Sequence, residues 1–412
     1  MTHIHPTVLL LCCLLVLGGC KEDATPAPCA QGTCGGAGAT PELGDLGQHA
    51  TLAIHNDGRI VVASYDATHG NLVARVDAPE GGSHTHLIAG WSTTEQGSVA
   101  RDSGRWASVA TDEEGGSHFA WYEVDRGALG YAHLSAQGAV TSQLVDGETS
   151  GDRGTHTSIA LDNEGRIYIA YRDEGERTLR LATRNPGAES FEIETIDGCS
   201  GEADCPLAEE DYGEFASLVL VASEPRIAFY DRARGDLKMA LRAQGAWEVV
   251  TLDGRDPETG TDTGDVGQFA SAAIDTKQRL GVAYFNATLG ELRYLSPDGT
   301  TPHPIVVDRG AYQDIHGATR SHVVGQHVAL AYDAQDAATL VYLDAGLLKL
   351  RQARVYGQTP TTPEVLSALP AGAYMDLERD ALGGLHLAYG AWHLDDGPKT
   401  TLETATLTWG LD

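Results

Sequence analysis

Gly154-Thr-His156-Thr-Ser158-Ile-Ala-Leu-Asp162-Asn-Glu-Gly165-Arg-Ile-Tyr-Ile-Ala-Tyr171 decides the fold. Gly154 and His156 open a short apolar strand, Asn163-Glu-Gly165 supplies the residues of a tight turn, and a second strand alternates toward Tyr171. Six further stretches of this design close on Tyr65, Tyr122, Tyr230, Tyr284, Tyr332 and Tyr389, with 48 to 59 residues between successive Tyr. A period of that size marks a repeat architecture.

Each unit carries four strand signals. The first is Ser-x-Ala-like (Ser108-Val-Ala110, Ser217-Leu-Val-Leu220, Ser271-Ala-Ala-Ile274), and the second runs toward Tyr (Ile60 to Tyr65, Leu280 to Tyr284). A turn such as Asp231-Arg-Ala-Arg-Gly235 leads to the third (Leu237-Lys-Met-Ala240), and the fourth often ends in Asp: Asp146, Asp197, Asp253, Asp308. Four antiparallel strands per unit, seven units and almost no helical period predict a seven-bladed β-propeller over residues 40–412. A β-helix needs shorter repeats, and a sandwich shows no sevenfold period. Small residues suit the first strand because the innermost strands crowd the axis. In unit six, residues 318–324 stand where the first strand is expected. The last unit has three strand signals, so residues 40–46 are expected to supply its fourth strand and close the ring.

These repeats resemble the degenerate propeller repeats of the sialidase and BNR kind found in exported bacterial proteins and lipoproteins. The resemblance implies a fold and no activity, because neither the Ser-x-Asp-x-Gly-x-x-Trp box nor an arginine triad is legible. No catalytic residue follows from it.

Residues 1–19 read as a signal peptide, with an apolar core, Val8 to Leu17, too short to span a bilayer. Leu17-Gly-Gly-Cys20 resembles the lipobox of a bacterial lipoprotein, which implies lipidation at Cys20 and anchoring at the cell envelope, in the outer membrane or at the cell surface. Residues 20–39 read as a Pro/Gly-rich tether. Four cysteines then remain in two close pairs, Cys29/Cys34 and Cys199/Cys205, the pattern of two small-loop disulfides in an exported chain.

The formal net charge is −30, which argues against nucleic acid or anionic lipid as a partner and leaves the acyl anchor as the membrane contact. An extracellular or periplasmic protein or glycan is the expected partner; the oligomeric state is open.

If the first strand is innermost, its opening residues meet at one mouth of the central channel. They are His49, Trp106, His156, Phe215, Phe269, His316 and Tyr374. Such a ring suits stacking on a sugar, or packing between blades. Its histidines fall on units one, three and six, which are not neighbours, so a shared zinc ion requires an unusually narrow mouth. Two acidic loops share that face and read first as a solvated charged rim; Glu202, Asp204, Asp211, Asp256 and Asp262 are the residues able to supply oxygens to Ca²⁺ as the lesser alternative. No cofactor is expected. The leading expectation is a non-catalytic binding propeller. The alternatives are a carbohydrate lyase or hydrolase using His156 or His316 with Tyr374, and a purely structural envelope scaffold.

Overall fold

A computed structural model describes residues 43–94, 97–147, 151–196, 211–243, 245–255, 259–297, 303–367, 370–393 and 399–407. The leader, the tether with its expected lipidation site Cys20, and residues 40–42 lie outside them. Neither expected disulfide, Cys29 with Cys34 or Cys199 with Cys205, is seen among the described residues, because all four cysteines also lie outside them. Seven antiparallel sheets follow one another along the chain, each beginning with its innermost strand: Gln48–Ile54, Ser103–Thr111, Arg153–Leu161, Glu214–Val221, Val266–Ile274, Val324–Tyr332 and Ala371–Arg379. Each innermost strand packs beside the next, and the last returns to the first, so the protein is a seven-bladed β-propeller. Two hairpins stand outside the blades, Trp91–Thr94 with Gly97–Ala100 and Ala311–Gln313 with Thr319–Ser321.

Two expectations are corrected. The first strand of blade 6 is Val324–Tyr332, and residues 318–324 fall largely in the second hairpin and its exit. Tyr332 therefore ends a first strand, and Tyr342 is the residue that takes the place of the other closing tyrosines. In the last blade the described strands number three (Ala371–Arg379, Leu385–His393, Lys399–Leu407). Residues 43–46 form no strand on it. They run along blade 1 instead: the Gly44 N–H donates to Asp66 Oδ2 (2.9 Å), the Asp45 N–H to Thr68 Oγ1 (2.9 Å), and the Asp45 carbonyl accepts from Ala67 N–H. Gly47, at φ +101°, then passes so close to blade 7 that a Cβ would lie 2.6 Å from the Thr401 carbonyl oxygen and 2.8 Å from Gly390 Cα. Only glycine admits that approach.

The core is divided among the seams. A separate cluster of buried side chains fills each junction, from Val61, Leu72, Phe119 and Trp121 between blades 1 and 2 to Val341, Leu350, Leu377 and Leu387 between blades 6 and 7. The junction of blades 7 and 1 is the smallest, with Leu52, Val62 and Ala388.

Polar pairs cross the same seams. The phenols of Tyr65, Tyr122 and Tyr230 donate forward to Asp102 (2.8 Å), Asp152 (2.6 Å) and Asp265 (2.8 Å), which stand two residues before the opening glycine of the next blade. Tyr171, Tyr284 and Tyr342 donate backward to Asp146, Asp253 and Asp308, the acids ending the previous blade's fourth strand. The two sets differ by one register position: Tyr122 faces Arg105 across the pair, whereas Tyr171 stands one residue further toward the turn. A one-residue offset sends a strand side chain to the opposite face, here the opposite seam.

Candidate ligand-binding site at the channel mouth

Every innermost strand departs from regular pairing near its start. In blade 3, Thr155 pairs with Arg172 and Ser158 with Ala170, so His156 and Thr157 both oppose Tyr171. This is a β-bulge, two residues against one. Blades 1, 2, 4, 5 and 6 repeat it, and blade 7 has a wider irregularity between Ala371 and Met375. In six blades the first residue of the bulge is left-handed, and in blade 7 the last of the irregular stretch, although none is glycine: His49 (φ 51°), Trp106 (55°), His156 (54°), Phe215 (53°), Phe269 (55°), His327 (50°) and Tyr374 (75°). That conformation costs an L-residue about 1–2 kcal/mol. Seven repetitions of it turn seven rings out of the strand plane and toward the axis.

The rings touch in sequence around the mouth. Centroid separations run 4.9 Å (His49–Trp106), 4.0 Å (Trp106–His156), 5.0 Å (His156–Phe215), 4.5 Å (Phe215–Phe269), 4.2 Å (Phe269–His327), 5.3 Å (His327–Tyr374) and 4.0 Å (Tyr374–His49). They wall a cavity of about 210 Å³, lined beneath by Ala50, Ala107, Ala216 and Ala270. Six of the seven residues expected here are in place. The correction is in blade 6, where His327 and not His316 completes the ring; His316 is exposed in the hairpin insertion. Gly325-Gln-His327 carries the same opening as Gly267-Gln-Phe269, and that was the available signal.

Two of the three imidazoles are committed to the backbone. The Phe215 N–H donates to His156 Nδ1 (3.0 Å), and the Tyr374 N–H to His327 Nδ1 (3.4 Å). An accepting Nδ1 leaves the proton on Nε2 and the ring neutral. Burial lowers both groups to about 3, and burial with nearby Arg105 pushes His49 well below the usual histidine range. Burial also raises the Tyr374 phenol. None of these groups is poised to exchange a proton near neutral pH.

Beneath the rings lies a second, polar cavity of about 340 Å³. Here each blade hands a hydroxyl to the next: Ser108 Oγ accepts from Ile159 N–H (3.0 Å), Ser158 from Leu218 (3.0 Å), Ser217 from Ala272 (2.9 Å) and Ser271 from Leu330 (3.0 Å). Blade 6 has Ala329 at this position, and blade 7 has Asp376, with Glu378 two residues further along the same strand face. Burial raises both carboxyls, and the Asp376 charge raises Glu378 further. Glu378 lines the cavity and is exposed to the water-sized space within it, so solvent screens part of that shift.

The acidic rim does not gather into one ion site among the described residues. Asp211 belongs to the forward seam set with Asp102, Asp152 and Asp265: it is buried and paired with Arg172 Nη2 at 2.5 Å. Asp262 accepts from Gly264 N–H (2.9 Å) and faces Arg255 at 3.8 Å. Glu202, Asp204 and Asp256 lie outside the described residues.

No protein-family model matches the chain, and no curated protein sequence does. Solved structures match it by shape. A puromycin hydrolase mutant aligns at a TM-score of 0.55 and 12% identity, over 88% of this chain and 52% of that one. The polysaccharide lyase Uly1 aligns at 0.52 and 12%, over 90% and 91%. The NanB sialidase from Streptococcus pneumoniae aligns at 0.45 and 10%, over 88% and 68%. At such identities the likeness is one of fold alone, and a propeller fold hosts many unrelated activities.

Proposed function

We propose that this propeller is a non-catalytic binding module of the bacterial cell envelope, held by lipid at Cys20 and taking a glycan or protein ligand on the face that carries the aromatic mouth. The observation that carries the reading is the closed ring of seven aromatic and imidazole groups around a cavity of about 210 Å³. That volume is below the range of drug-sized pockets and suits a single sugar ring or one apolar side chain. Stacking on ring faces is the interaction such a wall offers. Binding is favoured over turnover because His156 and His327 are tied to the Phe215 and Tyr374 N–H groups and burial lowers all three imidazoles, whereas a general base needs a free nitrogen with a pKa near the working pH. An exported chain of this kind would hold Cys29 with Cys34 and Cys199 with Cys205 as disulfides, so thiol titration of the denatured, unreduced mature protein should find no free thiol.

Glycan-array screening with and without Ca²⁺, calorimetry on any hit, and incubation of that hit with the protein test the reading together. The expected result is a ligand recovered unchanged, with affinity reduced about tenfold or more in Trp106→Ala. A cleaved product would move the assignment to a lyase or hydrolase. Absence of binding to glycans and to envelope proteins would move it to a scaffold whose rings serve packing alone.

A further inference from the structure

We propose that Asp112, His118 and His133 of blade 2 bind a divalent transition-metal ion, with Zn²⁺ as the fitting probe. The site lies on the face opposite the aromatic mouth, because Asp112 follows the far end of the strand that begins near Trp106. It is independent of the ligand-binding reading.

The geometry is that of a two-histidine, one-carboxylate set. Asp112 Oδ2 stands 2.9 Å from His118 Nε2 and 3.3 Å from His133 Nε2, and all three donor atoms lie within 4.8 Å of one another. Donors about 2.1 Å from a tetrahedral zinc are separated by about 3.4 Å, so small side-chain shifts suffice. His133 Nε2 is shielded from water and makes no well-formed hydrogen bond. Space for an ion is left by Gly116: a Cβ there would fall at coordination distance, not van der Waals distance, from His133 Nε2 and Asp112 Oδ2. Its φ is not left-handed, so backbone conformation does not demand glycine.

The other blades show what usually fills this place. Turn acids Asp162 and Asp275 have Arg166 and Arg279 where blade 2 has Gly116, and Arg279 Nη2 lies 2.5 Å from Asp275 Oδ2. Blade 7 has Gly384 and a single imidazole, His386, 2.8 Å from Asp380. Blade 2 alone among these replaces the resident guanidinium with two imidazoles and a gap. Groups behind the donors hold them in place. His118 Nδ1 is 2.6 Å from the Tyr131 hydroxyl, which accepts from Arg184 Nη2 at 2.7 Å. Its second lone pair takes the Nδ1–H of His118 and turns the Nε2 lone pair toward the gap. Imidazole with one carboxylate favours zinc, copper or nickel over calcium or magnesium.

Metal-stripped full-length protein titrated with Zn²⁺ by calorimetry, and with Co²⁺ followed in the visible spectrum, tests the site. One saturable equivalent is expected. His133 is about a third exposed (34%), so His133→Ala should keep the circular dichroism and metal-free melting curve while losing that equivalent or weakening it tenfold or more. Asp112→Asn retains an oxygen for the Gly116 N–H and should weaken binding similarly. His84→Ala with His86→Ala, on an outer strand, should leave it intact. Absence of a saturable equivalent, or equal affinity in His133→Ala, would show the trio to be a metal-free hydrogen-bonded cluster and overturn the proposal.

Discussion

The Leu52 backbone N–H donates to Asp376 Oδ2 at 2.9 Å, joining the first blade to the last through a carboxylate where the four seams from blade 2 to blade 6 use serine. The Thr51 hydroxyl donates to the same oxygen at 2.9 Å, and Asp376 Oδ1 accepts from the Leu377 N–H, which faces Ala329 in the preceding blade and finds no hydroxyl there. One side chain thus serves two junctions, at the seam whose apolar cluster is the smallest.

Asp376→Ala removes the acceptor for three donors and should destabilise the fold by about 2–4 kcal/mol, since donors lose their partner in confined space. Asp376→Ser restores the arrangement of the Ser108, Ser158, Ser217 and Ser271 seams and should cost far less. Urea denaturation of both variants checks this, and equal losses would mean that the carboxylate, not the hydrogen-bond pattern, matters.

Glu378 gives a pH signature. Its carboxyl is raised in the folded state, so above 4.5 the native protein holds a proton that the unfolded chain releases. Stability from this group is therefore greatest below 4.5 and falls as pH rises through the raised value. Glu378→Gln should flatten that decline between pH 5 and 9 and be the more stable protein at pH 8. An unchanged slope would place the decline elsewhere.

The mouth histidines act in the opposite sense. Below 6.5 the unfolded chain takes up protons on His49, His156 and His327, which the folded ring refuses, so their contribution is lost as pH falls from 6.5 toward 3. Imidazole resonances of His156 and His327 should hold still between pH 8 and 5. His156→Phe, copying Phe215 and Phe269, should reduce the acid slope while costing about 1 kcal/mol for the Phe215 N–H left without its acceptor.

Asp253 anchors the seam between blades 4 and 5. Its carboxylate takes the Tyr284 phenol (2.5 Å), Arg293 Nη1 (2.9 Å) and the Thr263 hydroxyl (2.7 Å), and its side chain is 3% exposed. Asp253→Ala leaves a largely buried guanidinium facing Glu291 alone and should cost about 3–5 kcal/mol. A double-mutant cycle with Tyr284→Phe, read by thermal and chemical denaturation, should give a coupling energy well above zero.

Much of this was written in short-range pattern. The repeated Gly-x-aromatic opening places six mouth residues correctly, because a packing need met seven times leaves the same residue classes seven times. Asp66, Asp231 and Asn286 cap their own turns as short acids and amides after a strand do. Blade 6 misleads because the Ala311–Ser321 hairpin imitates a strand and Tyr332-Asp333 imitates the end of a second strand, although Gly325-Gln-His327 lies between them. Asp211 looked like an ion ligand because its role depends on Arg172, 39 residues away in sequence and adjacent only after the blades assemble. The left-handed φ of the mouth residues was equally hidden: local preference opposes it in Phe and Trp, and tertiary packing imposes it. The Asp112 cluster was illegible because its donors come from a turn and two strands, and its clearest sign is a missing Cβ at Gly116.

The approach of Gly47 to Thr401 has a topological consequence. In the described residues no strand is exchanged between the first blade and the last, and the ring closes by side chains and a close backbone contact. Among the described residues the junction of blades 7 and 1 is thus built like the other seams, by packed side chains and hydrogen bonds. Circular permutation, with these ends joined by a short linker and new ones opened in the exposed turn of the Ala311–Ser321 hairpin, should return the same ring with every blade intact.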